Sequence, residues 1–282
     1  MDLLVPVCFM FHSSQEHDQH LHTLFTELQT YGTILNPSKC VFCVPEISFL
    51  GYKISFLGLQ PLPERVADQA CPPPKTVSQL LGVLNFYQHF LSHTASIQAP
   101  LYDVLSSPKV KGSHPVTWTT ALITAFEERK ASLSEAALLA HLDLTTPLAL
   151  VTDSSTTAMD AVLQRVQGVW QPLTFFSRKL SLAQQKYSAY DRELLAIYEV
   201  MRYFCHMIEA LNFTILMDHK PLTFAFQQKR DRCLPWQFNH LDFISQFTTD
   251  IHHLSGQDII TNAPSRVKVI TAPVTYDVLA AA

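Results

Sequence analysis

From residue 147 onward the chain shows apolar periodicities in a fixed succession: strand, strand, strand, helix, strand, helix, strand. PLALVTDSS is an apolar run that ends in polar residues. DAVLQRVQ and QPLTFFSRKL follow as two more strands on either side of Gly168. SAYDRELLAIYEVMRYFCHMI repeats its apolar residues at helical spacing, NFTILMDHKP returns to strand, and FTTDIHHL closes the series after a second helical stretch. This succession predicts an α/β fold built on a mixed five-stranded sheet with flanking helices.

Strand parity then places the acids. Side chains alternate between the two faces of a strand, so Asp153 shares a face with Val151 and Ala149, and Asp218 with Leu216 and Thr214. Each aspartate ends an apolar strand, where the carboxyl ends of strands form ligand crevices. On the long helix, Ser188-x-x-Asp191 reads as a capping box with Asp in place of Glu or Gln. Glu193 lies in line with Ile197, Val200 and Phe204, on the stripe that faces the core. A carboxylate there costs several kcal/mol unless a cation compensates it. Two partners fit: a metal ion, or a lone Lys or Arg. Oxygen ligands from Asp153, Glu193 and Asp218 suit Mg²⁺ or Mn²⁺, and ordinary rim carboxylates are the competing reading.

Several other chemistries are excluded. No G-x-G-x-x-G, G-x-x-x-x-G-K-[ST] or G-x-S-x-G occurs, so a Rossmann fingerprint, a P-loop and a hydrolase nucleophile elbow are absent. With 48% apolar and 16% charged residues the chain is globular in composition, and a net charge of −4 gives no global footprint for nucleic acid. Any such contact must be local. The tight basic clusters of the second half are Arg178-Lys179 and Lys229-Arg230-Asp231-Arg232, either solvated faces or phosphate contacts. Six scattered cysteines suggest a reducing compartment, cytoplasmic or nuclear rather than secreted, and no apolar run reaches membrane-spanning length. Cys40-x-x-Cys43 lacks a second pair and reads as structural; His17, His20, His22, His89 and His93 read as surface histidines.

Upstream, residues 14–31 have helical spacing that stops at Gly32. CVFCV and ISFLGYKISF read as two strands. Residues 75–105 read as helical from an N-cap at Thr76 to an interruption at Pro100, and Thr117 to Leu139 as a further helix.

The motif chain VTDSS, AVLQ, WQPLTFFSRKLS, YSAYDRELLAIYEVMRYF, FTILMDHKPL and QFNHLDFISQFTTDIHHLSGQDIITNAPSRV resembles the ribonuclease H domain of gypsy-type long-terminal-repeat retrotransposons. Upstream, LNPSKCVF, ISFLGYKIS and LLGVLNFYQHFL are similar to the reverse transcriptase of the same polyprotein. The resemblance implies a partial reverse transcriptase palm over 1–62, a helical thumb and connection over 63–140, an RNase H-like domain over 145–267, and a tail over 268–282. It also implies cleavage of the RNA strand of an RNA–DNA hybrid by two divalent metals on four carboxylates. Asp153, Glu193 and Asp218 match the first three.

Two departures bear on activity. The family's fourth aspartate matches Asn262, in Thr261-Asn262-Ala263-Pro264-Ser265-Arg266. His252, a little before it, is similar to the family's basic or aromatic residue. Losing one ligand charge is expected to weaken one metal at least as much as losing a supporting partner, roughly 10–100-fold. At the start of the chain, Asp2 matches the second aspartate of the polymerase motif and Met1 stands where the first would be. Polymerisation by this chain alone is therefore not expected, and an upstream polymerase half is an implied partner. The alternatives are a non-catalytic hybrid-binding or assembly module, or a non-functional remnant of an element. A third departure is Asp160, where the family usually has glycine before A-V-L.

Overall fold

The computed structural model describes residues 14–33, 36, 40–42, 44–68, 74–101, 112–167, 169–227 and 233–254. Helix α1 (Ser14–Thr30) ends as its spacing predicts, with Gly32 at φ +64. A three-stranded antiparallel sheet follows, β1 (Glu46–Phe49), β2 (Tyr52–Ser55) and β3 (Gly58–Pro61), in the order β1-β2-β3. Its first turn lies inside the run expected to be one strand. Leu50 and Gly51 both take positive φ, as a tight hairpin requires. The described residues of CVFCV form no strand. Val41, Phe42 and Val44 are exposed, so no sheet face is there to bury them.

After α2 (Pro63–Asp68), α3 (Val77–Phe86) starts at Thr76 with both halves of a capping box: Gln79 N–H donates to Thr76 Oγ1, and Thr76 N–H donates to Gln79 Oε1. The helix expected to continue to Pro100 stops at Tyr87. A 3₁₀ turn (Gln88–Phe90) and the short α4 (Thr94–Ile97) follow, with His93 at φ +50 between them. The break turns Tyr87, Phe90 and Leu91 onto the main sheet, where they are buried. Helix α5 (Thr120–Ser134) starts from Thr119 rather than Thr117 and ends before Leu139. Leu139 is extended instead and exchanges both backbone hydrogen bonds with Leu59, at 2.7 and 3.0 Å.

The five-stranded sheet contains β4 (Leu148–Ser154), β5 (Ala158–Gln167), β6 (Val169–Lys179), β7 (Phe213–Met217) and β8 (Ile251–His253), ordered β6-β5-β4-β7-β8. The first three strands pair antiparallel, and β7 and β8 join parallel through crossovers. The mixed α/β sheet predicted from the sequence is therefore the observed one. One face carries Leu148, Leu150, Leu163 and Ile215 and packs against α6 (Ala189–Ile208) and α7 (Pro235–Ser245). The other carries Ala149, Val151, Val162 and Leu216 and is covered by Tyr87, Phe90, Leu91, Leu133 and Leu139 from the preceding segment. Both faces being covered explains why β4 reads as a near-continuous apolar run. Among the described residues no helix is long and apolar enough to cross a membrane.

Candidate metal centre

Alternation along β4 puts Asp153 on the face of Ala149 and Val151, one step past their buried row. The parallel register pairs Leu148 with Phe213 and Val151 with Leu216. Carried two residues further, it sets Asp153 beside Asp218 at the carboxyl ends of two adjacent central strands. On the other side, Asp153 pairs with Asp160 of β5, and Asp160 with Ser177 of β6. Asp218, Asp153, Asp160 and Ser177 thus form a row across four strands.

Glu193 reaches this row from α6. Ser188 caps the helix: Asp191 N–H donates to Ser188 Oγ at 3.1 Å, and the Ser188 hydroxyl donates to Asp191 Oδ2 at 2.7 Å. The expected pairing of Ser188 with Asp191 is present, although its return bond runs between side chains. Gln237 of α7 donates to the other oxygen of Asp191 at 2.6 Å. With that turn fixed, Glu193 sits on the buried stripe with Ile197, Val200 and Phe204 and is only 4% exposed.

One ligand oxygen each from Asp153, Glu193 and Asp218 lies within 4.8 Å of the others. Ser154 N–H donates to Glu193 Oε1 at 3.1 Å, while Oε2 is buried without a hydrogen-bond partner among the described residues. No Lys or Arg there forms an ion pair with Glu193, so the lone-cation reading of that residue finds no partner. Burial, then the charges of Asp153 and Asp218, push the Glu193 carboxyl up to about 8. Burial and the charges of Asp218 and Asp160 also raise Asp153. An all-oxygen donor set, converging and short of positive charge, with an orphaned buried oxygen, fits a hard divalent cation.

The other expected residues are placed elsewhere. His252 stands opposite Leu216 in the β7–β8 register, and its ring pairs at 2.7 Å with Asp250, which also accepts from Thr214. The His252 ring is not among the ligand atoms that converge within 4.8 Å. Arg178 pairs with Glu199 of α6 at 3.0 Å, and Lys179 is exposed at the end of β6. Asp2, Asn262, Lys229, Arg230 and Arg232 lie outside the described residues. Two residues near the centre were not expected there. Asp160 is buried, and His93 Nδ1 meets its Oδ2 at 3.2 Å, so His93 is not a solvated surface histidine. His17 is buried as well. The sequence signal for Asp160 was parity, since it shares the face of Val162, but its partner becomes visible only when β4 and β5 are paired.

Residues 118–215 match the family model described as the RNase H-like domain found in reverse transcriptase. This segment is an RNase H-like domain of the reverse-transcriptase kind. The Transposon Tf2-7 and Tf2-3 polyproteins of Schizosaccharomyces pombe are each 30% identical to the chain over 290 aligned residues, covering 96% of it. The chain spans 21% of the length of those relatives. In fold, it is similar to foamy viral protease-reverse transcriptase solved in complex with double-stranded DNA (TM-score 0.71, 19% identity, covering 88% of this chain and 44% of that one). It is similar also to the same viral protein solved with an RNA/DNA hybrid (TM-score 0.70, 20% identity, covering 89% and 34%). The matched segment, 118–215, includes α5, the Leu139 bridge, β4 to β6, α6 and the start of β7.

Proposed function

We propose that the chain is an RNase H-type nuclease module that hydrolyses the RNA strand of an RNA–DNA hybrid and holds two Mg²⁺ or Mn²⁺ ions through Asp153, Glu193 and Asp218. The observation that carries this reading is the convergence of three carboxylates from β4, α6 and the end of β7 within 4.8 Å, with no Lys or Arg among the described residues in ion-pair contact with Glu193 and the nearby Arg192 charge outweighed by burial and the two aspartates. Bound divalent ions supply an activated water and charge stabilisation at a phosphodiester. The protein's own part is placement. The central parallel pair fixes the two aspartates side by side, and the Ser188 cap and the buried stripe bring Glu193 to the same strand ends. The Ser154 backbone amide holds one oxygen of Glu193, and its other oxygen stays available.

Arg178, Lys179, Lys229, Arg230 and Arg232 are proposed phosphate contacts. Such contacts give affinity without sequence readout, and that affinity falls steeply with salt. An upstream polymerase half is the proposed partner, in a cytoplasmic or nuclear setting. Asn262 favours one second reading, a hybrid-binding or assembly module that no longer cleaves.

The test is cleavage of end-labelled RNA in a hybrid by the purified chain, titrated with Mg²⁺ and with Mn²⁺. Weak metal-dependent cleavage is expected, rising at least about tenfold in Asn262→Asp. Equal turnover by the two proteins would remove the impairment from the proposal. Salt-sensitive binding with no cleavage by either protein would favour the second reading.

A further inference from the structure

The acidic row is longer than the three carboxylates that converge. Asp160 stands directly opposite Asp153 in an antiparallel pair, on the same face of the sheet. Side chains so opposed have Cβ atoms roughly 4.5–5.5 Å apart, and like charges there are destabilising. The residue is 9% exposed, so water does little to screen the repulsion. One of its oxygens is engaged, Oδ2 with His93 Nδ1 at 3.2 Å. The other, Oδ1, is buried and has no hydrogen-bond partner among the described residues. Glu193 Oε2 is in the same condition within the same acidic group. His93, which Asp160 holds toward its charged form, offsets part of the acidic charge. The two orphaned buried oxygens at this end of the sheet remain uncompensated, a costly arrangement in a protein interior unless a further cation completes them.

His93 comes from outside the sheet. It precedes α4, whose Ala95 N–H donates to Ser177 Oγ at 2.8 Å, the residue paired with Asp160 on β6. The loop before α4 is thus tied down at two adjacent points of the row, and the engaged oxygen of Asp160 is fixed from above.

We propose that Asp160 supplies the fourth negative charge of the divalent-cation site, from one strand beyond the converging three, with His93 fixing one carboxylate oxygen and leaving the other for the cation or its water. This rests on the metal reading given above. Asp160 is a positioning and charge-supplying residue, since its oxygens are not among the three that lie within 4.8 Å of one another.

The experiment is Mn²⁺ binding by the full chain, with free Mn²⁺ followed by electron paramagnetic resonance, alongside thermal unfolding in EDTA. Asp160→Asn keeps the shape and an acceptor for His93 but removes the charge. Its Mn²⁺ affinity is expected to fall about tenfold or more, while its metal-free melting temperature stays level or rises because the repulsion with Asp153 is gone. Asp160→Glu, which restores the charge, is expected to bind within a few-fold of wild type. Wild-type affinity in a folded Asp160→Asn protein would overturn the proposal and leave the three-acid site standing. A folded wild-type chain that binds no Mn²⁺ would overturn the metal reading, and this inference with it.

Discussion

Replacing Glu193 by glutamine measures what the acid cluster costs when no metal is bound. The carboxyl is raised from its ordinary 4.5 to about 8, first by burial and then by Asp153 and Asp218. Between those two values the folded protein keeps this proton and the unfolded chain has released it. The unfolded state binds fewer protons, so rising pH favours unfolding. The stabilising contribution is complete below about 4.5 and is lost as pH climbs through about 8. The slope is about 1.4 kcal/mol per pH unit, so between roughly pH 5 and pH 8 the wild-type chain should lose about 3–4 kcal/mol from this group. Glu193→Gln has no proton to lose, and its stability should fall less over the same range by about that amount. Asp153 is raised in the same direction, by burial and the charges of Asp218 and Asp160, and contributes to the pH dependence of both proteins alike. The assay is urea unfolding followed by circular dichroism in EDTA, at a series of pH values, for both proteins. At roughly 2–4 °C per kcal/mol the difference corresponds to a widening gap of about 6–15 °C in melting temperature. Parallel pH profiles for the two proteins would refute the reasoning, because Glu193 would then be as well solvated folded as unfolded.

Two further outcomes test the frame around the site. Gly58→Ala places a Cβ 2.2 Å from the Leu139 carbonyl oxygen, at φ +149, and should cost at least about 1–3 kcal/mol in chemical denaturation. Ser188→Ala removes the cap of α6 and should cost about 1 kcal/mol, with a smaller loss in Ser188→Gly.

Much of the centre was legible because it depends on short-range periodicity. Two-residue alternation fixed the faces of Asp153 and Asp218, and the core stripe of one helix fixed Glu193, and all three came together. What was illegible depended on pairings remote in sequence. Asp160 gains its meaning only from the β4–β5 register, and His93 only after the chain breaks at Tyr87. Apolar spacing through residues 75–105 is compatible with one helix, and nothing local shows that Tyr87, Phe90 and Leu91 serve a different core from Leu80 and Leu84. Leu139 was read as helical for the same reason, since its backbone partner, Leu59, lies in another sheet. His252 carried a family position but found Asp250 two residues away.

The parallel pairing of β4 with β7 also has a temporal consequence. During synthesis, the first of these strands is complete long before the second emerges, because β5, β6 and α6 must be made in between. A nascent chain halted in that interval holds Asp153 beside Asp160 but without Asp218 on its other side. Divalent ions therefore cannot seed this fold as zinc seeds a finger. The three carboxylates converge only once the slow, distant contact between β4 and β7 has closed.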